Sequence, residues 1–218
     1  MLKDGEKGAV LQKDRKTYAI VPHIPLGVAT PELLRQIADI AEKNRAAIKI
    51  TSANRIAVVG ITEDKIDEAW AALDTEPGAA VGACVRSIKV CPGTTFCRLG
   101  KQDSLALGQE LDKRYHGFAL PAKFKIGVSG CINQCAENCI KDIAFVGKSD
   151  GWTVQVGGNG GSRPALARQL VSGLTLEQAL EITEKLLEFY TENAKKMDRM
   201  SRVIARVGMD QLKKAVLG

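Results

Sequence analysis

In the first third of the chain, segments with the hydrophobic pattern of strands alternate with segments in which hydrophobic residues recur at helical spacing. Short apolar runs at 17–22, 47–51 and 55–60 predict three strands. Thr30, followed by a proline and then by apolar residues at helical spacing, predicts a helix that begins there. Thr62 precedes a second stretch of the same kind, which predicts a second helix.

The order of these elements is strand–helix–strand–strand–helix, followed by an apolar stretch at 79–85. This order is typical of a ferredoxin-like split βαβ unit, a term that describes the fold and not a cluster. We therefore predict an antiparallel sheet with helices on one face, preceded by a polar arm at residues 1–15. Residues 1–80 are assigned to this half domain.

The pattern changes after residue 80, where small residues and glycines become frequent. The predicted elements are a helix at 104–114, a strand at 123–128, a hairpin of strands at 142–147 and 151–157, and helices at 175–195 and 201–217. We predict that residues 81–218 form a second α+β domain, so the fold class of the whole chain is α+β.

Composition excludes several classes of protein. The chain has 218 residues with 45% hydrophobic content, and no run approaches the roughly 20 apolar residues that cross a bilayer. Its first residues lack the apolar core of a signal peptide, so we expect a cytoplasmic protein without membrane contact. The net charge of +6 suits either a solvated surface or an anionic ligand. Lysines and arginines do not alternate with aromatic residues, so nucleic acid is not the expected partner.

Four of the six cysteines form two clustered pairs, Cys91-x5-Cys97 and Cys131-x3-Cys135. In a reducing compartment such pairs indicate a metal centre in preference to disulfides. Zinc sites favour shorter spacings, often with histidine, and here one spacing is five and no histidine follows. Glycine-rich turns suit an iron–sulfur cluster better, because their backbone N–H groups can point at sulfur.

The second pair lies in the segment 128–135, Val-Ser-Gly-Cys-Ile-Asn-Gln-Cys, which resembles the sirohaem and [4Fe–4S] signature of the sulfite and nitrite reductase family. The segments 120–125, 142–147 and 157–159 resemble the same family, in the family's order. The family often has Pro and Gly where this chain has Ile132 and Gln134. Large members carry two such half-repeats, whereas this chain has one, as in the small, low-molecular-weight, assimilatory-type sulfite reductases.

The resemblance implies cofactors and their ligands. Cys91, Cys97, Cys131 and Cys135 would bind a [4Fe–4S] cluster, and the Cys135 sulfur would also bridge to the sirohaem iron. We interpret Cys139 as a buried bystander in preference to a competing ligand. Cys84, which has no second cysteine close to it in the sequence, is interpreted as a small buried residue.

Basic residues near the cysteines are candidates for binding the substrate. Lys123 and Lys125 lie two apart on the predicted strand, so they share one face, either at a solvated edge or towards substrate. The resemblance implies the second role, and it implies the same for Arg86, five residues before the first cluster cysteine. Such cations would hold the oxygens of sulfite and help to deliver protons.

The resemblance also implies residues that would hold the many carboxylates of sirohaem. It suggests Thr51, Asn54 and Arg55 in the first hairpin. In the second domain it suggests Asn133, Gly158 and Asn159. The glycines at 157–161 lack the order of a phosphate-binding loop, so we expect them to let the backbone approach the cofactor.

His23 stands where the family usually has an arginine that binds substrate. Its role stays open between a proton donor, a partner of a sirohaem carboxylate, and a plain loop residue. As a candidate catalytic residue it joins Arg86, Lys123 and Lys125.

The function implied is the six-electron reduction of sulfite to sulfide, with electrons from an external donor protein, because the chain has no flavin or nicotinamide motif. Two alternatives are kept: reduction of nitrite to ammonia by the same cofactors, and a non-enzymatic iron–sulfur electron-transfer protein. With a single half-repeat, either residues 1–80 or a second copy must help to enclose the cofactor, so the oligomeric state stays open.

Overall fold

The computed structural model describes residues 1–218, which separate into two compact units, Met1–Gly82 and Ala83–Gly218. The strands of the first unit are β1 (Ala9–Leu11), β2 (Thr17–Ile20), β3 (Ala47–Ile50) and β4 (Ile56–Thr62). Its helices are α1 (Pro31–Lys43) and α2 (Ile66–Ala71), with short 3-10 turns at Glu6–Gly8, Pro25–Gly27 and Glu63–Lys65. The four strands form an antiparallel sheet in the order β1-β2-β4-β3.

Local signals account for most of this unit. The Thr30 hydroxyl accepts a hydrogen bond from the Leu33 N–H at 3.2 Å, so α1 begins at the predicted cap. Apolar residues of α1 and α2 pack with the inner face of the sheet in one core. The second helix begins as a 3-10 turn, and Thr62 makes no side-chain cap bond to it.

The edge of this sheet differs from the prediction. The stretch 79–85 forms no regular strand, and β1, from the segment predicted to be a polar arm, pairs with β2 instead. Ala9 is fully buried in the core and lies opposite Ile20. The burial of a few apolar residues at 9–11 outweighs the polar character of the residues around them.

The second unit carries a five-stranded mixed sheet in the order β5-β6-β7-β8-β9. Its strands are β5 (Lys89–Val90), β6 (Ile126–Ser129), β7 (Ile143–Lys148), β8 (Gly151–Val156) and β9 (Arg168–Leu174). Its helices are α3 (Gly93–Phe96), α4 (Ser104–Tyr115), α5 (Leu176–Asn193), α6 (Met200–Val207) and α7 (Met209–Leu217), with a 3-10 turn at Asn138–Ile140. The strands β5, β6 and β7 are parallel, and β7, β8 and β9 are antiparallel.

Several predicted elements of this unit are confirmed. The hairpin of β7 and β8 turns through two residues between Lys148 and Gly151. The helix α5 begins with a reciprocal capping box of Thr175 and Gln178. All residues of β6 and nearly all of β7 are buried, as expected for parallel strands covered on both faces.

Three predictions for this unit need correction. The strand predicted from Lys123 begins only at Ile126. The helix predicted at 201–217 is two helices, because Gly208 has φ 98°, which no helix accommodates. The strand β9 has no counterpart in the prediction, because its pairing with β8 shifts register and its residues do not alternate cleanly in burial.

None of the helices combines the length and the apolar character that crossing a bilayer requires.

Candidate active site

Two neighbouring parallel strands bring the cysteine pairs together. Cys91 directly follows β5, and Gly130 and Cys131 directly follow β6. The strands are in register at Val90 and Val128, and the Cys91 N–H donates to the Val128 carbonyl at 3.0 Å. Because parallel strands end at the same edge, the loops that follow them meet there.

Glycines let these two loops touch. A Cβ added to Gly130 would lie 2.8 Å from the Gly93 Cα and 2.7 Å from the Gln102 carbonyl oxygen. A Cβ on Gly147 would lie 2.6 Å from the Gly130 carbonyl oxygen. The loop at 91–97 and the loop at 130–135 are therefore in backbone contact, which any larger residue at Gly130 would prevent.

The Cys91 sulfur has the surroundings of a thiolate ligand. It is buried, and it accepts a hydrogen bond from the Gly130 N–H at 3.1 Å. The Ser104 hydroxyl lies 3.5 Å from the same sulfur and donates to the Cys91 carbonyl at 2.7 Å. Hydrogen bonds to sulfur of this kind stabilise a thiolate and tune the potential of an iron–sulfur cluster.

The remaining proposed ligands differ in exposure. Cys131 is buried, Cys97 is half-buried and Cys135 is exposed. Cys139 is also exposed, so the prediction that it is buried is wrong, while its role as a bystander stays a prediction. It lies in the 3-10 turn that follows the loop. Cys84 is half-buried, and none of the six cysteines is in a disulfide.

A buried polar network holds the second cysteine loop. The Ser129 hydroxyl donates to Asn138 Oδ1 at 2.6 Å and accepts from the Ala136 N–H at 3.0 Å. Asn138 Nδ2 donates to the Phe145 carbonyl at 2.6 Å. The sequence prediction does not include this role for Ser129, although a serine that ends a buried strand is a signal for it.

No group of three or more His, Cys, Asp or Glu side chains converges closely enough to hold a single metal ion. The four cysteines stay a proposed set of ligands for a cluster, in which each thiolate binds a different iron atom. Touching glycine loops and an N–H group aimed at sulfur fit such a group.

Arg86 and Lys125 are neighbours at the beginning of the parallel strands, because Arg86 precedes β5 and Lys125 precedes β6, whereas the cysteine loops follow these strands. Val85 bridges to Phe124 in parallel, and the Arg86 N–H donates to the Phe124 carbonyl at 2.9 Å. Arg86 is only 9% exposed, and burial lowers the pKa of its guanidinium. Burial is also the main cause that lowers the pKa of Lys125, helped by the charges of Lys141 and Lys123. Lysine pKa values fall in this way when the ammonium loses water near other cations.

Lys123, unlike these two, is exposed, and the strand on which it was predicted to lie does not reach it. Its position two residues before Lys125 still places its charge close enough to lower the Lys125 pKa.

A buried carboxylate that sequence reasoning did not single out joins Arg199 to the backbone at Lys125. Asp142 is fully buried and pairs in two places with Arg199, Nε to Oδ1 at 2.9 Å and Nη2 to Oδ2 at 2.5 Å. It also accepts from the N–H groups of Lys125 at 2.8 Å and Met200 at 3.2 Å. Burial raises the pKa of Asp142, and these donors oppose that rise. Nothing local to Asp142 indicates Arg199, which lies 57 residues further along the chain.

The same arginine positions Asn159. Arg199 Nη1 donates to Asn159 Oδ1 at 2.9 Å, and Asn159 Nδ2 donates to the Arg163 carbonyl at 2.9 Å. A Cβ on Gly158 would lie 2.6 Å from the carbonyl oxygens of Cys139 and Lys141. Gly158 is therefore required for close packing of the chain against residues 139–141. The sequence alone explains this glycine by an approach of the backbone to the cofactor.

A second ion cluster follows the cysteine loop. Glu137 accepts from Lys89 at 2.8 Å and from Lys141 at 3.0 Å, and these bonds lower its pKa to about 2. Lys141 is buried, and burial lowers its own pKa. Glu137 has φ 58°, a left-handed conformation that ends the loop. Asn133, in the middle of the loop, is exposed.

The predicted residues of the first unit lie in two loops. The Thr51 hydroxyl accepts from the Arg55 N–H at 3.2 Å and shapes the β3–β4 turn, in which Asn54 has φ 55°. His23 is half-buried; its N–H donates to the Glu76 carbonyl at 2.8 Å, and the Thr75 hydroxyl donates to its carbonyl at 2.8 Å.

Comparisons with known proteins show the family to which the chain belongs. Residues 81–218 match the family model described as the nitrite and sulphite reductase 4Fe-4S domain, and residues 10–75 match the nitrite/sulfite reductase ferredoxin-like half domain. The chain is 40% identical over 218 residues to an assimilatory-type sulfite reductase of Nitratidesulfovibrio vulgaris, covering 100% of both. It is 39% identical over 205 residues to a nitrite reductase [NAD(P)H] of Bacillus subtilis, covering 94% of this chain and 25% of the relative.

Among solved structures, dissimilatory sulfite reductase I has the same fold, with a TM-score of 0.82 at 15% identity over 92% of this chain and 69% of the other. The predicted fold class and family resemblance are confirmed. The chain belongs to the nitrite and sulfite reductase family, as a member with one ferredoxin-like half domain and one 4Fe-4S domain.

Proposed function

We propose that this chain is a sulfite reductase that uses sirohaem and a [4Fe–4S] cluster to reduce hydrogen sulfite with six electrons and six protons to hydrogen sulfide anion and three waters. The observation that carries the proposal is the contact of the two cysteine loops, with the Gly130 N–H on the Cys91 sulfur. The full-length relative named as an assimilatory-type sulfite reductase supports the choice of substrate.

In this proposal Cys91, Cys97, Cys131 and Cys135 would hold the cluster, and Cys135 would also serve as a ligand for sirohaem. When bound, the two groups supply one-electron storage and the iron atom at which sulfite is reduced. The exposure of Cys135 is consistent with a sulfur that serves a second group.

Arg86 and Lys125 would act on the substrate in different ways. Arg86 stays protonated despite its burial, because guanidinium pKa values are so high, and it holds sulfite oxygens. Lys125 has a lowered pKa, so its Nζ can give up a proton more readily than an ordinary lysine. Lys123 contributes a third positive charge, and His23 is a further candidate proton donor.

The remaining candidates would hold the carboxylates of sirohaem. In the second unit these are Asn133 and Asn159, with Gly158 contributing backbone. In the first unit these are Thr51, Asn54 and Arg55. Backbone and side-chain donors of this kind are the usual partners of buried carboxylates.

Anaerobic purification after expression with a sirohaem supply tests the proposal. We expect the absorption bands of sirohaem, about five irons per chain (four from the cluster and one from sirohaem), and sulfide production from sulfite with reduced methyl viologen. A preparation that holds the cluster but no sirohaem would instead support the non-enzymatic electron-transfer protein.

A Cys135→Ser variant tests the shared sulfur. We expect it to lose the magnetic coupling between cluster and sirohaem in Mössbauer and electron paramagnetic resonance spectra. Cys139→Ser, four residues away and also exposed, is the matched control and should keep the coupling. Coupling that persists in Cys135→Ser would show that another group forms the bridge.

Reduction of nitrite to ammonia is the second candidate, because several relatives at 34–39% identity are named nitrite reductases. Those proteins are far longer than this chain, which spans about a quarter of them or less. Steady-state turnover with both anions separates the candidates, and a much larger kcat/KM for nitrite would overturn the choice of sulfite.

We further propose that the donor of electrons is a separate protein and that the enzyme works in the cytoplasm, where its six cysteines, none of them in a disulfide, would stay reduced. Residues 1–80 and 81–218 are proposed as the two domains of the chain. Whether a second copy also contributes can be measured by sedimentation of the loaded enzyme.

A further inference from the structure

A groove of about 400 Å³ lies between the end of α4 and the second half of α5. Its floor is apolar and consists of Leu187 and the rings of Tyr115 and Phe118, which meet edge to face with centroids 6.3 Å apart. Phe118 remains 49% exposed there. No residue that lines the groove is among those proposed to hold the cluster, sirohaem or sulfite. Apolar side chains that stay in water at one concave place mark an interaction surface.

One wall of the groove is acidic. Glu184, Glu188 and Glu192 line it at intervals of four residues, so their carboxylates are neighbours on one face of α5. All three are exposed, and none forms an ion pair with a cation of this chain. Burial raises the pKa of Tyr115, and the charge of Glu184 adds to that rise, so the wall lies close to the aromatic floor. Like charges at this spacing repel one another, and a cation placed in the groove would relieve the repulsion.

A basic turn borders the groove. The segment 195–197, Lys-Lys-Met, comes shortly after the end of α5 and is exposed, with 69% of Met197 in contact with water. The Met197 N–H donates to the Pro121 carbonyl at 3.1 Å, which ties the turn to the loop that carries Phe118. Neither lysine of the segment forms an ion pair within the chain. The turn therefore presents two free positive charges and an apolar tip beside the acidic groove.

The basic turn is held in one conformation by a buried residue. The Asp198 carboxylate accepts from the Lys195 N–H at 3.3 Å, and the Asp198 N–H donates to the Lys195 carbonyl at 3.0 Å. The Tyr190 hydroxyl, from α5, donates to the Asp198 carbonyl at 2.5 Å. Met197 has φ 68°, a left-handed conformation that is uncommon for this residue type. A turn that is fixed before binding loses little conformational entropy when a partner covers it.

We propose that two copies of this chain associate through this face, with the basic turn 195–197 of each copy lying on the acidic groove of the other. A two-fold contact requires a surface that complements itself, so that each part meets its counterpart twice. Here the lysines of one turn would meet the glutamates of the partner's groove. The Met197 thioether would meet the ring of the partner's Phe118, since methionine sulfur packs favourably on aromatic rings.

The net charge of +6 on each copy does not prevent this contact. At physiological ionic strength, exposed charges more than about 8 Å apart are largely screened, so the charges at the face itself decide the sign of the interaction. A separate basic protein would also suit the groove by charge, but it would leave the turn 195–197 uncovered. The two-fold contact covers both surfaces, and it does not depend on the proposed function.

Sedimentation velocity of the enzyme with both cofactors bound tests the contact. We expect the wild type to self-associate with a Kd of about 10 µM, the order of magnitude for a weak, charge-rich interface. The acidic variant, Lys195→Glu/Lys196→Glu, and the basic variant, Glu188→Lys/Glu192→Lys, each place like charges against one another. Each should raise Kd by at least about thirtyfold. A wild type that stays monomeric up to about 200 µM would overturn the proposal.

An equimolar mixture of the two variants gives a sharper result. The acidic variant carries an acidic turn beside an acidic groove, and the basic variant carries a basic turn beside a basic groove. A mixed dimer therefore restores opposite charges at both contacts. We expect the mixture to associate with a Kd within about tenfold of the wild-type value, while each variant alone stays monomeric. A mixture that stays monomeric would overturn the proposal.

Two further variants separate the face from general effects of charge and folding. The control Lys13→Glu/Lys16→Glu makes the same charge change between β1 and β2 and should change Kd by less than about threefold. Met197→Asn removes the apolar tip, and asparagine tolerates the left-handed conformation. It should raise Kd by about threefold to tenfold without changing the salt dependence, and it keeps the test decisive if a charge variant does not fold. Equal Kd values in the control and in all variants of the face would overturn the proposal.

Discussion

The contact of the two cysteine loops makes Gly130→Ala an informative perturbation. The added Cβ would lie 2.7 Å from the Gln102 carbonyl oxygen and 2.8 Å from the Gly93 Cα. Ordinary contact needs about 3.4 Å or more, so the backbone around Gly130 must move away from these atoms by about 0.6–0.7 Å. That shift lengthens the hydrogen bond from the Gly130 N–H to the Cys91 sulfur, now 3.1 Å, and displaces Cys131 from Cys91.

We expect Gly130→Ala to lower the stability of the chain by about 1–3 kcal/mol, the usual cost of overpacking. Cluster binding should suffer more, because four ligands must reach one cluster together. The assay is iron and acid-labile sulfide per chain after anaerobic reconstitution, with urea unfolding of the cluster-free protein alongside. At equal protein concentration, we expect the variant to bind less than half as much iron as the wild type. A loss of about 1 kcal/mol in cluster binding is enough for this effect.

Gly117→Ala is the matched control. Gly117 has φ 73° but open space around it, so alanine there strains the backbone without pressing on the cysteine loops. It should lose some stability and keep its iron. Full iron in Gly130→Ala, or equal losses of iron in both variants, would refute the idea that the glycine contact positions the ligands.

Three further predictions concern charged residues near the cysteine loops. Asp142→Ala removes the only carboxylate that pairs with Arg199 and should cost about 3–5 kcal/mol in urea unfolding. Glu110→Ala, which breaks an exposed pair with Lys113, should cost under about 1 kcal/mol, and similar losses in the two variants would contradict a special contribution of the buried pair. The pKa of Glu137 is lowered from 4.5 to about 2, so its ion pairs stabilise the folded chain above pH 4.5 and lose that effect as the pH falls to about 2. The difference in unfolding free energy between wild type and Glu137→Gln should shrink over that pH range, and a constant difference would contradict this. Burial lowers the pKa of Lys125 below 10.5, so the pH at which kcat/KM for sulfite falls on the alkaline side should lie below 10.5 and should rise in Lys125→Arg. An alkaline limb at the same pH in both proteins would exclude Lys125 as the titrating group.

Local signals in the sequence are enough to predict much of the fold. The Thr30 cap, the capping box at Thr175 and the two-residue hairpin turn after Lys148 each depend on neighbours within a few positions. Elements of that kind are readable because their energetics are local. The helix break at Gly208 escapes prediction, since apolar spacing continues through it and only its φ of 98° shows the break.

The residues of the candidate site likewise divide into those that short stretches of sequence predict and those that only the folded chain brings together. The cysteine spacings and the glycines beside them indicate a metal centre from residue type alone, and the family resemblance adds Arg86, Lys123 and Lys125. Asp142 and Arg199 do not stand out in the sequence, because two residues so far apart in the chain reveal their pairing only when folded. The first sheet's edge strand, β1, is missed for a related reason: three residues carry too little pattern to predict a strand.

The sequence by itself determined which side chains could bind iron and where most helices and strands begin, since both follow from residue type and short spacing. Only the tertiary structure decided that Cys91 and Gly130 meet, because that contact depends on the parallel pairing of β5 with β6, strands separated by 35 residues and two helices. It also decided that Arg199 reaches Asp142 and Asn159 and that apolar side chains stay exposed beside Cys97 and Cys131. Long-range pairing is set by the burial of the whole core, and no short window of sequence contains it.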